Sequence, residues 1–234
     1  MKKHIPNIIT LINLFCGCIA IVHVSNSNFL MAFCFVSLGI FFDFFDGFFA
    51  RLFNVSAPLG LQLDSLADMV TSGVVPGYAM FKMLESFSSE NYNQYLPYFG
   101  FVITLGACYR LAKFNIDTRQ SDSFIGLPTP ANALFILSLP LISQSFYDDN
   151  LSAIVFNSFV LMFITVLSAF VMNAEIPLFS LKIKGFDFKK YRLQISFVLV
   201  STFLILYFLA LGVALTILLY VLLSVLNNLI SSKK

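Results

Sequence analysis

Charge is what this chain has least of. Only 11% of its 234 residues are Asp, Glu, Lys or Arg, against 59% hydrophobic residues and a mean hydropathy of +0.88. A soluble domain of this length does not cover its surface with so few charges, so a water-soluble globular fold is excluded. Histidine and cysteine are also scarce, at two and four. Cys16, Cys18, Cys34 and Cys108 all fall inside apolar runs and give no disulfide framework. His4 and His23 stand too far apart to complete a zinc site locally, and the cysteines are expected to be buried small hydrophobes. A cleavage site is missing too. The run from Ile5 to Val24 behind Lys2 and Lys3 is too long for a signal peptide and has no A-x-A-like sequence, so it is expected to be a retained first helix.

What is present is a series of apolar runs near the ~20 residues that span a bilayer. They lie at about 6–24, 29–51, 63–85, 96–115, 130–146, 151–172, 193–209 and 212–230. The fold class expected is an all-α integral membrane protein of about eight transmembrane helices. The last two runs form one apolar stretch, broken only around Leu211 and Gly212, and are either a tight hairpin or something less regular. Basic residues orient the layout, because cytoplasmic loops collect them. With the amino terminus inside, 13 of the 14 fall at or near cytoplasmic ends, and only Lys82 lies toward the other side. The opposite loops at 25–28, 86–95 and 147–150 contain no Lys or Arg. Both termini are therefore expected to be cytoplasmic. The net charge of +2 adds nothing to this, and no nucleic-acid partner is expected.

Against that apolar background the stretch from 43 to 68 stands out, because it carries Asp43, Asp46, Asp64 and Asp68. A carboxylate near hydrocarbon costs about 2.5 kcal/mol or more, so four imply a compensating cation or a wet cavity. Asp43 and Asp46 are three apart at the end of helix two, and Asp64 and Asp68 four apart at the start of helix three, so each pair shares a helical face. The connection from Leu52 to Leu63 holds Asn54, Ser56, Pro58 and Gly60, which suit a turn between antiparallel helices. The pairs can then face each other at the membrane surface. Four converging carboxylates repel unless hard cations sit between them. Oxygen-only ligation favours Mg²⁺ or Mn²⁺, with Ca²⁺ as an alternative. Gly47 and Ala50 remove bulk beside Asp43 and Asp46, and Arg51 adds a positive charge, a combination suited to a phosphate-bearing ligand. In helix one, Asn7, Thr10, Asn13 and Gly17 share a face that either packs against a neighbour or lines a polar cavity. The phenylalanines of helix two should face lipid or neighbouring helices.

The spacing D-x2-D-G-x2-A-R-x8-G-x3-D-x3-D is met by Asp43, Asp46, Gly47, Ala50, Arg51, Gly60, Asp64 and Asp68. It resembles the signature of the CDP-alcohol phosphotransferase family over residues 6 to about 172. The resemblance implies a six-helix membrane core, generally in a homodimer, that moves a phosphatidyl or related group from a CDP-linked donor to an alcohol and releases CMP. It implies a two-metal centre on the four aspartates, with Asp68 as general base. It further implies that Gly47, Ala50, Arg51 and Gly60 cradle the CDP-diacylglycerol nucleotide, with Asn7, Thr10 and Asn13 as contributors. Within the family, PNIITLINLFCG at 6–17, RLAKFNI at 110–116 and GLPTP at 126–130 are similar to the membrane-embedded phosphatidylserine synthases, which use L-serine. Lys113 and Thr129 depart mildly from that pattern, which commonly has Arg and Ser there.

A serine site would draw on Arg110, Lys113, Asn115 and Thr129. Arg110 and Lys113 also fit as plain positive-inside residues, and Pro128 and Pro130 as chain breakers before helix five. The domain layout expected is a core at 1–172, a basic cytoplasmic or interfacial segment at 173–192, and a C-terminal transmembrane hairpin and tail at 193–234. The stretch 180–192 holds five basic residues among apolar ones, and either attracts anionic headgroups or only fixes topology. Glu175 just before it has no evident partner. Two other classes fit the sequence less well. A transporter would place its polar groups near mid-membrane and show internal repeats, whereas the acids cluster at one face and no repeat is visible. A sibling transferase acting on glycerol 3-phosphate or inositol phosphate would call for a denser basic pocket.

Overall fold

In hydrocarbon a backbone finds no water, so an apolar run satisfies its N–H and C=O groups by coiling into a helix. The apolar runs of this protein do so wherever they are described. The structure is a computed structural model that describes residues 4–53, 58–87, 94–117, 125–145, 156–179 and 191–231. Among these there is no strand, only one isolated bridge between Ile125 and Pro177. The chain folds as α1 (Ile5–Ser25), α2 (Phe29–Leu52), α3 (Pro58–Asp68), a π-helical segment (Met69–Val74), α4 (Val75–Glu85), a 3₁₀ turn (Leu96–Phe101), α5 (Val102–Ile116), α6 (Thr129–Ser145), α7 (Ser158–Asn173), α8 (Arg192–Phe208) and α9 (Ala210–Ser231).

Three of these helices, α1, α2 and α9, are long and apolar enough to cross a membrane. α6, α7 and α8 are shorter apolar helices, and α3, the π segment and α4 follow one another without a break as one further rod. Large apolar side chains face outward, as a bilayer and not water would select: Phe15, Phe44, Leu105, Phe163 and Leu206 are each more than 60% exposed. This is an all-helical membrane protein.

Local chemistry sets the ends and breaks. Asn28 caps α2 by accepting from the Met31 N–H at 3.2 Å, and Asn157 caps α7 by accepting from the Phe159 N–H at 2.9 Å. The π segment has its cause one turn further on. Pro76 lacks the N–H that would reach the Ser72 carbonyl, and its ring crowds that carbonyl, so the helix widens across 69–74. The widening falls immediately after Asp68.

Two apolar clusters hold the bundle. In one, Ala20 and Val24 of α1, Ala32 and Val36 of α2, Val75 and Ala79 of α4, and Ala133 and Leu137 of α6 meet. In the other, Met80, Met83 and Leu84 of α4 join Ile103 and Ala107 of α5, Ile136 of α6, Leu161 and Met172 of α7, and Ala214 of α9. α9 therefore seals the second cluster along α6. α8 folds back on α9 as a tight hairpin, with Phe197 and Tyr220 ring centroids 5.5 Å apart.

Several expectations shift. The hairpin reverses at Leu209, which has φ +49°, so Leu211 and Gly212 lie inside α9 and not at the break. Helix three begins at Pro58, not 63, and Gly60 is therefore helical. Only Cys16 is buried. Cys18, Cys34 and Cys108 point out of the bundle, where a small apolar side chain is equally at home in lipid. Most of the loops at 86–95 and 147–150, the basic stretch 180–190, and Asn54 and Ser56 lie outside the described residues.

Candidate active site

α1, α2 and α3 converge at one end of the bundle because their small and polar residues permit close approach. Gly17 has no side chain where α1 meets the π segment; a Cβ there would lie 3.1 Å from the Thr71 Cα. Gly39 serves the same purpose on α2, since a Cβ would lie 2.8 Å from Asn13 Oδ1 and 2.9 Å from Thr71 Cγ2. At Gly60 the neighbour is Asn7 Oδ1, 3.4 Å from a notional Cβ. The polar stripe of α1 therefore both packs and lines the site.

That close approach brings carboxylates together. Asp43, Asp46 and Asp64 each offer an oxygen within 4.8 Å of the others. Asp43 Oδ1 is buried without a hydrogen-bond partner. Thr10 Oγ1 lies 2.5 Å from Asp46 Oδ2 and 3.1 Å from the Pro6 carbonyl, and its single proton goes to the charged acceptor. Asp68 stands outside the three-carboxylate group, buried at 9% exposure, and accepts from Asn13 Nδ2 at 3.2 Å. Thr71 Oγ1 in turn donates to the Asn13 carbonyl at 3.2 Å, tying α1 to the π segment. Such a group fits hard divalent cations: the donors are all oxygen, and one buried carboxylate oxygen has no other partner.

Around the carboxylates the surroundings divide. Gly47 faces open space, with nothing within 4 Å of a notional Cβ, so no neighbouring helix occupies the room beside Asp46. Ala50 is half-buried on the same stretch. Arg51 is exposed and folds back, its Nε donating to the Gly47 carbonyl at 2.9 Å.

Arg110 of α5 is buried, 7% exposed. Its charge interacts with Asp68, and its guanidinium carbon lies 5.8 Å from the Phe114 ring centroid. Arg110 Nε and Nη2 have no hydrogen-bond partner. Thr129 is fully buried at the start of α6, also with its hydroxyl unpartnered. The backbone before it is strapped to the end of α7: the Gly126 N–H donates to the Ile176 carbonyl at 2.9 Å and the Leu127 N–H to the Val171 carbonyl at 3.0 Å. Gly126 adopts φ +74°, and a Cβ there would press on the Ala174 carbonyl at 3.1 Å, so glycine is required.

Lys113 and Asn115 are placed differently. Lys113 pairs with Glu175 at 3.4 Å, both side chains partly exposed. Asn115 Nδ2 donates to Ser65 Oγ at 2.9 Å, joining α5 to α3. Sequence reasoning did not single out Ser65, Thr71 or Ser72, although the last two lie three and four residues after Asp68, one helical turn away on its own rod. Nor did it single out Asn132, three residues after Thr129. Glu175 was left without a partner because its ion pair spans 62 positions.

An all-helical membrane protein with a buried acidic cluster at one end of its bundle is thus defined. The sequence model of the CDP-alcohol phosphatidyltransferase family matches residues 3–172, and the chain belongs to that family. It is 37% identical to the CDP-diacylglycerol–serine O-phosphatidyltransferase of Bacillus subtilis over 141 residues, 58% of this chain and 75% of that protein. It is 30% identical to the Helicobacter pylori protein of the same name over 208 residues, 87% of this chain and 81% of that one. The protein of that name from Methanocaldococcus jannaschii is 31% identical over 150 residues, 64% of this chain and 67% of that one.

Proposed function

We propose that the protein transfers the phosphatidyl group of CDP-diacylglycerol to the hydroxyl of L-serine, giving phosphatidylserine and CMP. The observation that carries this reading is the convergence of the Asp43, Asp46 and Asp64 carboxylates within 4.8 Å beside open space at Gly47, in a chain whose relatives bear that activity's name. Two Mg²⁺ or Mn²⁺ ions held by these carboxylates, with Asp68 adjoining, would supply neutralisation of the donor diphosphate and of charge on departing CMP.

Each remaining step belongs to this chain's own side chains. Gly47 and Ala50 leave room for the nucleotide, Arg51 unfolds from its own helix toward a phosphate, and Gly60 with Asn7 forms the opposite wall. Thr10 and Asn13 hold Asp46 and Asp68 in orientation. Asp68 takes the serine hydroxyl proton as that oxygen bonds to the phosphatidyl phosphorus and the bond from phosphorus to the CMP oxygen breaks. Arg110 and Thr129 receive the acceptor, while Lys113 and Asn115, tied to Glu175 and Ser65, border it.

The site faces the cytoplasm on this reading, since the basic residues gather at its end of the bundle. The protein works as a homodimer in the cytoplasmic membrane, with residues 1–172 as the catalytic core, 173–192 at the interface and 193–234 as an added hairpin. The test is an acceptor panel. Purified protein given CDP-diacylglycerol, Mn²⁺ or Mg²⁺ and a series of alcohols should release CMP fastest with L-serine; fastest release with glycerol 3-phosphate would overturn the assignment.

A further inference from the structure

Beyond Arg110 and Thr129, two more fully buried polar side chains have no partner. Asn132 of α6 is 0% exposed, and neither its Oδ1 nor its Nδ2 makes a hydrogen bond. Ser72, in the π segment, is 0% exposed with its Oγ likewise unpaired. Leaving a buried polar group unmatched is costly, so such groups mark a place where something else binds.

Helical phase brings these residues to one place. Ile136 of α6 belongs to the same buried apolar cluster as Ile103 and Ala107 of α5. Asn132 lies one turn before Ile136 on that face, and Arg110 one turn beyond Ala107 on its own. The neighbouring face of α6 carries Ala133 and Leu137 against Val75 and Ala79. Thr129 lies one turn before Ala133, and Ser72 three residues before Val75. The π segment itself is held to α5, with Thr104 Oγ1 donating to the Gly73 carbonyl at 3.0 Å. Two helix faces and the π segment thus turn Asn132, Thr129, Ser72 and Arg110 toward one buried region next to Asp68.

We propose that Asn132 recognises the α-amino-acid head of the acceptor, its Oδ1 accepting from the ammonium and its Nδ2 donating to the carboxylate. Ser72 adds a second acceptor for the ammonium, and Arg110 neutralises the carboxylate. A carboxamide suits this task because it presents one donor and one acceptor side by side, matching a zwitterion that carries both charges on one carbon. It adds no net charge beside Asp68. A phosphorylated alcohol lacks the ammonium and would leave the amide oxygen unmatched, so the same residue selects against it. This inference rests on an amino acid being the acceptor.

The experiment compares L-serine with its two truncated forms, 3-hydroxypropionate, which lacks the ammonium, and ethanolamine, which lacks the carboxylate. Each is assayed by CMP release from CDP-diacylglycerol in the wild type, Asn132→Ala and Asn132→Ser. In the wild type both analogues should fall well behind L-serine. Asn132→Ala should raise the KM for L-serine by about 10- to 100-fold, as loss of hydrogen bonds to charged groups predicts, with the KM for CDP-diacylglycerol unchanged. The preference for L-serine over each analogue should shrink by a similar factor. Because that preference is a ratio, it holds even for a partly active preparation, and Asn132→Ser supplies it should the alanine variant fail to fold. Unchanged ratios in a variant that still turns over serine would overturn the role of Asn132 alone. A wild type that prefers a non-amino-acid alcohol would overturn the acceptor reading beneath it.

Discussion

Replacing Gly17 by alanine tests whether the helix crossing holds the site in place. The added Cβ would stand 2.5 Å from Thr71 Oγ1, 3.1 Å from Thr71 Cα and 3.2 Å from Thr71 N. The first of these is roughly 1 Å inside ordinary contact. Thr71 cannot simply turn away, because it is fully buried and its hydroxyl donates to the Asn13 carbonyl. The backbone contacts remain in any rotamer. α1 must therefore move off the π segment, at about 1–3 kcal/mol for overpacking. That movement carries Asn13 away from Asp68, now 3.2 Å apart, and Thr10 away from Asp46. A displacement of order 1 Å at a catalytic group can lower turnover by about 100-fold. The assays are thermal unfolding in detergent and CMP release with CDP-diacylglycerol and L-serine. Both should fall, and Thr71→Ala in the same chain should recover part of each loss, since it removes Oγ1 but not the backbone. Wild-type melting and wild-type turnover in Gly17→Ala would refute the described crossing.

Gly47→Leu should separate stability from activity. Nothing lies within 4 Å of a Cβ there, so leucine adds helix propensity and leaves stability equal or up to about 1 kcal/mol higher, while the KM for CDP-diacylglycerol rises at least tenfold; unchanged KM would exclude Gly47 from the nucleotide site. Asp68→Asn should abolish CMP release yet leave CDP-diacylglycerol binding measurable by calorimetry, and near-normal turnover would rule out its role as base. Lys113→Met removes a partly exposed ion pair and should change stability by less than about 1 kcal/mol and the KM for L-serine by less than about threefold; a large rise in that KM would place Lys113 on the acceptor.

The sequence made the all-helical membrane character and the acidic cluster readable for a common reason. Each rests on local spacing: apolar runs of bilayer length, and Asp43 with Asp46 or Asp64 with Asp68 one turn apart. The separation of Asp68 from the other three was not readable, since it depends on Asn13, Thr71 and the widened helix after it. The run at 63–85 was expected as one plain helix, and the widening at 69–74 ahead of Pro76 was not foreseen. Lys113 and Arg110, equal as positive charges in one helix, part only in three dimensions. One meets Glu175 at the surface, and the other is buried beside Asp68. Asn132 and Ser72 looked like ordinary polar residues because spacing says nothing about whether a buried group has found a partner. The reversal at Leu209 was misplaced because the residue that takes positive φ is a leucine, and Gly212 nearby is instead needed where α9 crosses the backbone of Leu204 and Ile205.

The central claim is that these carboxylates carry phosphatidyl transfer to serine. Its most direct measurement follows phosphatidylserine by mass spectrometry and CMP together, from CDP-diacylglycerol and L-serine, in the wild type and in an Asp64→Asn variant that melts at the same temperature. The wild type should give equal amounts of the two products and lose both on chelation, with recovery on adding Mn²⁺ or Mg²⁺, and the variant should give neither. Phosphatidylserine formed by the variant at the wild-type rate, or CMP released without it, would contradict the account.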